Sequence, residues 1–261
     1  MILSLMNEII IKLIKGFPEI NKHDSLADLI SENLKKNNID LQNGDILCIA
    51  HKIVSKAEGR IIHLPNIKPS SKAIYYANLL NKDPRKVEVI LRESKKIIRY
   101  FKHQRQNEGT MICESKLGFI SANAGVDESN VDGIDNVLLL PKNPDMSAKR
   151  LMNYFKKKYK KNIGIVITDT FGRPWRLGQV NVAVGVSGIP VTKNEKGNQD
   201  SFGNYMKVTE PAFCDEIAAA SGLLIKKSGK TPIVLFRGIE WISTNSSIKD
   251  ILRTKKEDMF L

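Results

Sequence analysis

An apolar run of five residues, Ile163 to Ile167, sits between polar segments and stops at Thr168-Asp169-Thr170. A run this short, bounded on both sides, predicts a buried strand rather than a helix. The strand delivers Asp169 and Thr170 to its carboxyl end, where α/β active sites commonly lie. The residues that follow, Phe171-Gly172-Arg173-Pro174-Trp175-Arg176, set two guanidinium groups around a rigid Pro-Trp unit, an arrangement suited to clamping anionic oxygens.

Similar apolar runs predict strands over Glu8–Lys15, Ile46–Val54, Lys96–Phe101, Thr110–Cys113, Gly118–Ser121, Val180–Val191 and Pro232–Arg237. Helices are expected after Asp24 or Ser25, from Ser70 or Ser71 to Leu80, from Asp83-Pro84 to about Arg92, over Ser147–Lys160 and Asp215–Ile225, and over Ile248–Arg253. Asn123 to Asp135 is too polar and turn-rich for a regular element. Strands and helices mix without strict βαβα alternation, which points to α+β rather than a doubly wound sheet. With 261 residues the chain reads as one catalytic unit, large enough for two structural lobes.

The amino-terminal stretch is apolar, but Glu8 and Lys12 interrupt it and no cleavage site follows, so no signal peptide is expected. No stretch is long enough to cross a membrane. The three cysteines are far apart, without a CxxC pair, which fits a reducing, cytoplasmic setting. The four histidines lack zinc-site spacing. A net charge of +13 would attract polyanions. The lysines are scattered, as on a solvated face, and no nucleic-acid-binding motif accompanies them, so no nucleic-acid partner is expected.

Other segments carry chemistry. Ser55-Lys56-Ala57-Glu58-Gly59-Arg60 joins cations to a glycine that lets a phosphate or carboxylate approach the backbone. Asn123 to Asn130 contains Asp127, an oxygen ligand suited to a hard cation; it equally fits an Asx-rich turn. Ser228-Gly229-Lys230-Thr231 resembles the end of a P-loop, but the glycine spacing and the helix-loop-strand order both exclude one.

Taken in order, IVSKAEGR, ISANAGVDESNV, ITDTFGRPWRLGQVNVAVGVSGI, DEIAAASGLL and VLFRG resemble the coenzyme F420-0:L-glutamate ligase family, from Gly16-Phe17-Pro18 to Gly238. The resemblance implies an α+β fold, a two-lobed monomer in an intertwined homodimer, and no Rossmann or P-loop core. It also implies GTP as co-substrate, Mg²⁺ or Mn²⁺ (two ions), and K⁺. The implied reaction adds L-glutamate to F420-0, giving F420-1, and then a further γ-linked glutamate. Its nucleotide site falls on Phe17, Pro18, Glu19, Ile20, His51, Lys52, Lys56 and Asn130, and on Ile225, Lys226, Lys227, Ser228, Gly229, Lys230, Thr231 and Pro232. Its metal ligands fall on Asp127, Asp169 and Thr170. Asp127 and Asp169, with Arg173 and Arg176, are the expected catalytic groups. Lys227 departs from the family, which often has a polar side chain there; a protonated lysine cannot ligate a metal. At this length the nitroreductase-like domain fused to some relatives is not expected. Two rival readings remain: a nucleotide-dependent ligase for another carboxylated cofactor, and a basic nucleic-acid-binding protein.

Overall fold

The computed structural model describes residues 8–104, 106–226 and 229–259. The architecture is α+β, and its centre is a five-stranded sheet. The strands are β1 (Ile10–Ile14), β2 (Ile46–Ala50), β3 (Ile61–His63), β4 (Ser94–Phe101), β5 (Thr110–Ser115), β6 (Ile120–Ala122), β7 (Asn136–Leu138), β8 (Gly164–Arg173), β9 (Arg176–Ser187) and β10 (Ile233–Arg237). The helices are α1 (Leu26–Lys36), α2 (His51–Ala57), α3 (Ser71–Leu80), α4 (Pro84–Glu93), α5 (Pro144–Tyr159) and α6 (Phe213–Ser221). The main sheet has the order β1-β10-β2-β8-β9 and is antiparallel except for the β2–β8 pair. Two small antiparallel sheets, β3-β7 and β4-β5-β6, stand beside it.

The buried side chains form two cores. The larger joins the main sheet to α1, α5 and α6 through residues such as Ile30, Leu47, Phe155, Val166, Ile217 and Phe236. The smaller joins α3 and α4 to β5 and β7 through Ala77, Val87, Ile90, Met111 and Val137. Local chemistry sets several boundaries. Ser70 accepts from Ala73 N at the start of α3, and Asp83 accepts from Arg85 N before the Pro84 that opens α4. Asn143 caps α5 by accepting from Met146 N, so that helix begins at Pro144, ahead of the expected Ser147. The first turn of α5 lies so close to β9 that a Cβ on Gly185 would fall 2.5 Å from Pro144 Cβ, which requires glycine there.

The structure corrects several expectations. Ile46–Val54 is not one strand: β2 ends at Ala50 and α2 begins at His51, because a continuous apolar run serves a buried strand and the buried face of a helix equally well. β8 does not stop at Thr168. It continues to Arg173, paired with β9 in a long hairpin, because antiparallel pairing carries a strand beyond its apolar stretch. β9 accordingly begins at Arg176 and ends at Ser187, α6 ends at Ser221, and the last helix is a short 3₁₀ turn at Ile248–Ile251. The short strands β3 and β7 had no readable periodicity.

Asp45 is fully buried at the start of β2. Arg237, at the end of β10, donates from Nε and Nη2 to its two carboxylate oxygens, each at 2.8 Å. Such a bidentate pair is directional, and removing the cation leaves a buried charge uncompensated. Arg237→Ala should lower the urea-unfolding free energy by about 3 kcal/mol. Asp45→Asn combined with Arg237→Met should lose clearly less than that.

Candidate active site

The parallel β2–β8 register sets Ala50 opposite Thr168. The next residues of each strand, His51-Lys52 and Asp169-Thr170, therefore emerge side by side. His51 is buried as the first residue of α2, with Nδ1 3.3 Å from Ser55 Oγ. Its Nε2 lies 3.2 Å from Asp169 Oδ1, within ion-pair reach but off the line of a hydrogen bond.

Asp127 arrives from the smaller core. Asn123, Ala124 and Gly125 have φ of 52°, 54° and 77°, left-handed values that turn the chain sharply after β6. Left-handed backbone is uncommon for a residue with a Cβ such as Ala124. The Asp127–Leu138 bridge then fixes the backbone, with N–O distances of 3.0 and 2.8 Å. Lys52 Nζ donates to Asp127 Oδ2 at 2.5 Å, to Ser129 O at 2.8 Å and to Ser129 Oγ at 2.5 Å. Burial alone would raise the Asp127 pKa. The Lys52 ammonium and the bonds from Ser129 outweigh it and hold the carboxyl down to about 2.

These groups face one cleft of about 1240 Å³. Of the residues implied by the family resemblance, Phe17, Pro18, Glu19, Ile20, His51, Lys52, Lys56, Asp127, Asn130, Asp169, Thr170, Ile225, Lys226, Lys230, Thr231 and Pro232 all line it. Lys56 is buried and paired with Glu19. Gly229 is not among the lining residues. Lys227 and Ser228 lie outside the described residues.

Arg173 and Arg176 do not reach this cleft. They sit at the hairpin tip, where Arg173 Nη2 donates to Leu177 O at 2.6 Å. The extension of β8 carries Arg173 about 13 Å beyond Asp169. The expected clamp therefore has no counterpart among the cleft residues of this chain. Sequence reasoning also passed over Ser129, Gln179 and Asn181, which line the cleft. Gln179 and Asn181 share one face of β9 two residues apart, polar positions that alternation in an apolar strand could have flagged.

The donor set fits a hard divalent cation. Asp127, Asp169, Thr170 and Asn130 all offer oxygen, the atom Mg²⁺ and Mn²⁺ favour. Among the described residues no three His, Cys, Asp or Glu side chains cluster as a closed cage. Mg²⁺ beside phosphates needs only one or two protein carboxylates, the rest of its ligands coming from water and the phosphates. Thr231 Oγ1 is buried at the cleft without a hydrogen-bond partner among the described residues, a polar atom whose cost a ligand would relieve. The cysteines are poor candidates for this chemistry: Cys48, Cys113 and Cys214 are buried, and burial pushes the Cys48 thiol up to about 12.

Hard oxygen donors beside several lysines make a class of site whose chemistry suits a polyanionic ligand together with a hard cation. Comparison with known sequences gives that class a family. A sequence model of the F420-0:Gamma-glutamyl ligase family matches residues 15–238. The coenzyme F420:L-glutamate ligase of Methanothermobacter thermautotrophicus is 39% identical over 251 residues, covering 95% of this chain and 96% of its own. The enzyme of the same name from Methanocaldococcus jannaschii is 38% identical over 249 residues, covering 95% and 93%. That from Methanopyrus kandleri is 40% identical over 247 residues, covering 93% of each chain. The chain belongs to the F420-0:gamma-glutamyl ligase family.

The Lys52–Asp127 contact has a definite pH signature. Because the folded pKa lies below the ordinary 3.8, its stabilisation is complete above that value and is lost as pH falls toward 2. Carbon-13 NMR of the Asp127 carboxyl should show a midpoint near 2 in the wild type. In Lys52→Met the midpoint should rise, because burial is then opposed only by the bonds from Ser129.

Proposed function

We propose that this protein adds L-glutamate to the lactyl carboxylate of coenzyme F420-0, giving F420-1, and then adds a further γ-linked glutamate, with GTP as the energy source. The observation that carries this reading is the convergence of Asp127 and Asp169, from separate cores, on a single cleft that also holds the lysines and the other matched residues. The family relationship supplies the acceptor class.

A carboxylate does not acylate an amine in water without activation. In the proposed reaction an oxygen of the acceptor carboxylate attacks the γ-phosphorus of GTP. The bond from that phosphorus to the β-phosphate oxygen breaks and GDP leaves. The glutamate amine then attacks the acyl carbon of the acyl phosphate, the carbon–oxygen bond to phosphate breaks, and the amine loses a proton. Mg²⁺ or Mn²⁺, bound in two positions, would neutralise phosphate oxygens as charge builds on them.

The chain's own residues do the positioning. Asp127, Asp169 and Thr170 would hold the cations. Lys56, released from Glu19, and Lys52, released from Asp127, reach anionic oxygens as point charges. Phe17 to Ile20, with Ile225, Lys226, Lys230, Thr231 and Pro232, would wall the nucleotide. The cleft is large enough for a nucleotide and an acceptor together. K⁺ as a further cofactor, a homodimer as the working assembly and a cytoplasmic location complete the proposal. Among the described residues no helix is long and apolar enough to cross a membrane.

Mass spectrometry of the product formed from F420-0, GTP and glutamate tests the reading. One or two added glutamyl units, with equimolar GDP, are expected. Glutamate added only to a different carboxylated acceptor would redirect the proposal, and no product with any acceptor would end it. Asp169→Asn should keep the thermal midpoint and abolish GDP release. Lys56→Ala should weaken GTP binding about tenfold by calorimetry, the loss of one charge-assisted contact.

A further inference from the structure

Thr170 reaches the cleft as part of a hydrogen-bonded chain. It lies directly across the β8–β9 ladder from Asn181. Its Oγ1 is 2.9 Å from Asn181 Oδ1, and Asn181 Nδ2 is 3.4 Å from Ser221 Oγ, a long contact. Ser221 is fully buried at the end of α6, with Oγ 2.6 Å from the Ala218 carbonyl oxygen. The next residue, Gly222, leaves the Asn181 amide room: a Cβ there would come within 3.3 Å of Asn181 Nδ2.

The direction of this chain is determined from its far end. A carbonyl oxygen can only accept, so the Ser221 proton goes to Ala218. Having spent its proton, Ser221 can only accept from Asn181, which places the amide nitrogen toward Ser221. The amide oxygen then faces Thr170, and the flipped amide would set two acceptors against each other. Thr170 must therefore donate. Cys48 also lies beside Ser221, but a thiol sulfur is a much weaker acceptor than the Ala218 carbonyl.

We infer that Asn181, backed by Ser221, is a positioning residue that commits the Thr170 proton away from the cleft, so that Thr170 presents only lone pairs there. Thr170 is then a neutral oxygen ligand for a cation and does not donate to a phosphate. The same hydroxyl with a free proton would compete as a donor to the nucleotide and would bind a cation less well. This inference rests on the reading of Asp169 and Thr170 as cation ligands, and it deepens that reading by naming the residues that set the hydroxyl's polarity. Partners that orient metal ligands typically change metal affinity by about 10–100-fold when removed.

The test is Mn²⁺ affinity, measured by calorimetry or by the paramagnetic signal of free Mn²⁺, in the presence of GTP and without acceptor or glutamate. Asn181→Leu should bind Mn²⁺ about tenfold more weakly. Asn181→Asp, which keeps an acceptor opposite Thr170, should retain wild-type affinity or exceed it. Thr170→Val should show a loss like that of Asn181→Leu, and the double variant should lose no more than either single one, a non-additivity that mere structural damage would not produce. If Asn181→Leu fails to fold, Ser221→Ala, which frees the amide to flip, should weaken Mn²⁺ binding in the same direction. Wild-type Mn²⁺ affinity in the variant that folds, or fully additive losses in the double variant, would overturn the inference while leaving the metal reading intact. Unchanged Mn²⁺ affinity in Asp169→Asn would remove the metal reading itself and the inference with it.

Discussion

The parallel hydrogen bonding of β2 to β8 is the constraint on which the site depends. It is the only parallel pairing in the described main sheet. A parallel pair sends both strands out at the same edge, so the residues after Ala50 and after Thr168 meet without any long-range loop to bring them together. A one-residue slip would turn every side chain of β8 to the opposite face and take Asp169 away from His51. Ile46, Leu47, Cys48 and Ile49 on β2, and Ile165, Val166 and Ile167 on β8, are fully buried, which makes such a slip costly. The rigidity of the centre thus sets the precision of the site's rim.

Asp127 reaches the same place by a different route. After α2 the chain forms β3, which pairs with β7, and Leu138 of β7 bridges to Asp127. Leu139 N also bonds to Arg60 O, just after α2. Helix α2 is therefore fixed to the main sheet at one end and to the smaller core at the other. A helix carrying His51, Lys52 and Lys56 at that junction brings the two carboxylates to one cleft. Lysines deeper in the smaller core brace the same loop. Lys86 is buried, which would lower its pKa, yet bonds to Glu128 at 2.5 Å and Glu108 at 3.0 Å hold it above its ordinary value and keep it charged. Glu128 is the neighbour of Asp127, so this ion pair tethers the turn that carries Asp127 to α4.

Much of this was legible in the sequence, for identifiable reasons. Asp83-Pro84 and Ser70 announced their helices because caps are local chemistry, and the structure places them there. Ile163–Ile167 announced a buried strand because the run is short and polar residues bound it on both sides. Most of the motif-derived residues do line the cleft, because motif strings carry residue identity directly. What could not be read was set by pairing partners far along the chain. The apolar run into α2 concealed a change from strand to helix at His51. The polar outer half of β8 is a strand only because β9 lies beside it, and that continuation moves Arg173 and Arg176 out to the hairpin tip. The scattered lysines read as solvated, yet Lys56, Lys82 and Lys86 are buried and paired, because their partners Glu19, Glu108 and Glu128 are not sequence neighbours. The polarity of Thr170 was equally hidden, since it is set from Ala218 through two intervening side chains.

The central claim is spatial: the carboxylates of Asp127 and Asp169 serve one cation-and-nucleotide site. Anomalous X-ray scattering from crystals grown with Mn²⁺ and GTP tests it most directly. The account predicts manganese peaks inside the cleft, within coordinating distance of Asp127 and Asp169 oxygens, with the phosphates alongside and Lys52 withdrawn from Asp127. Manganese and nucleotide bound elsewhere, with Lys52 still seated on Asp127 and the cleft holding only water, would contradict it.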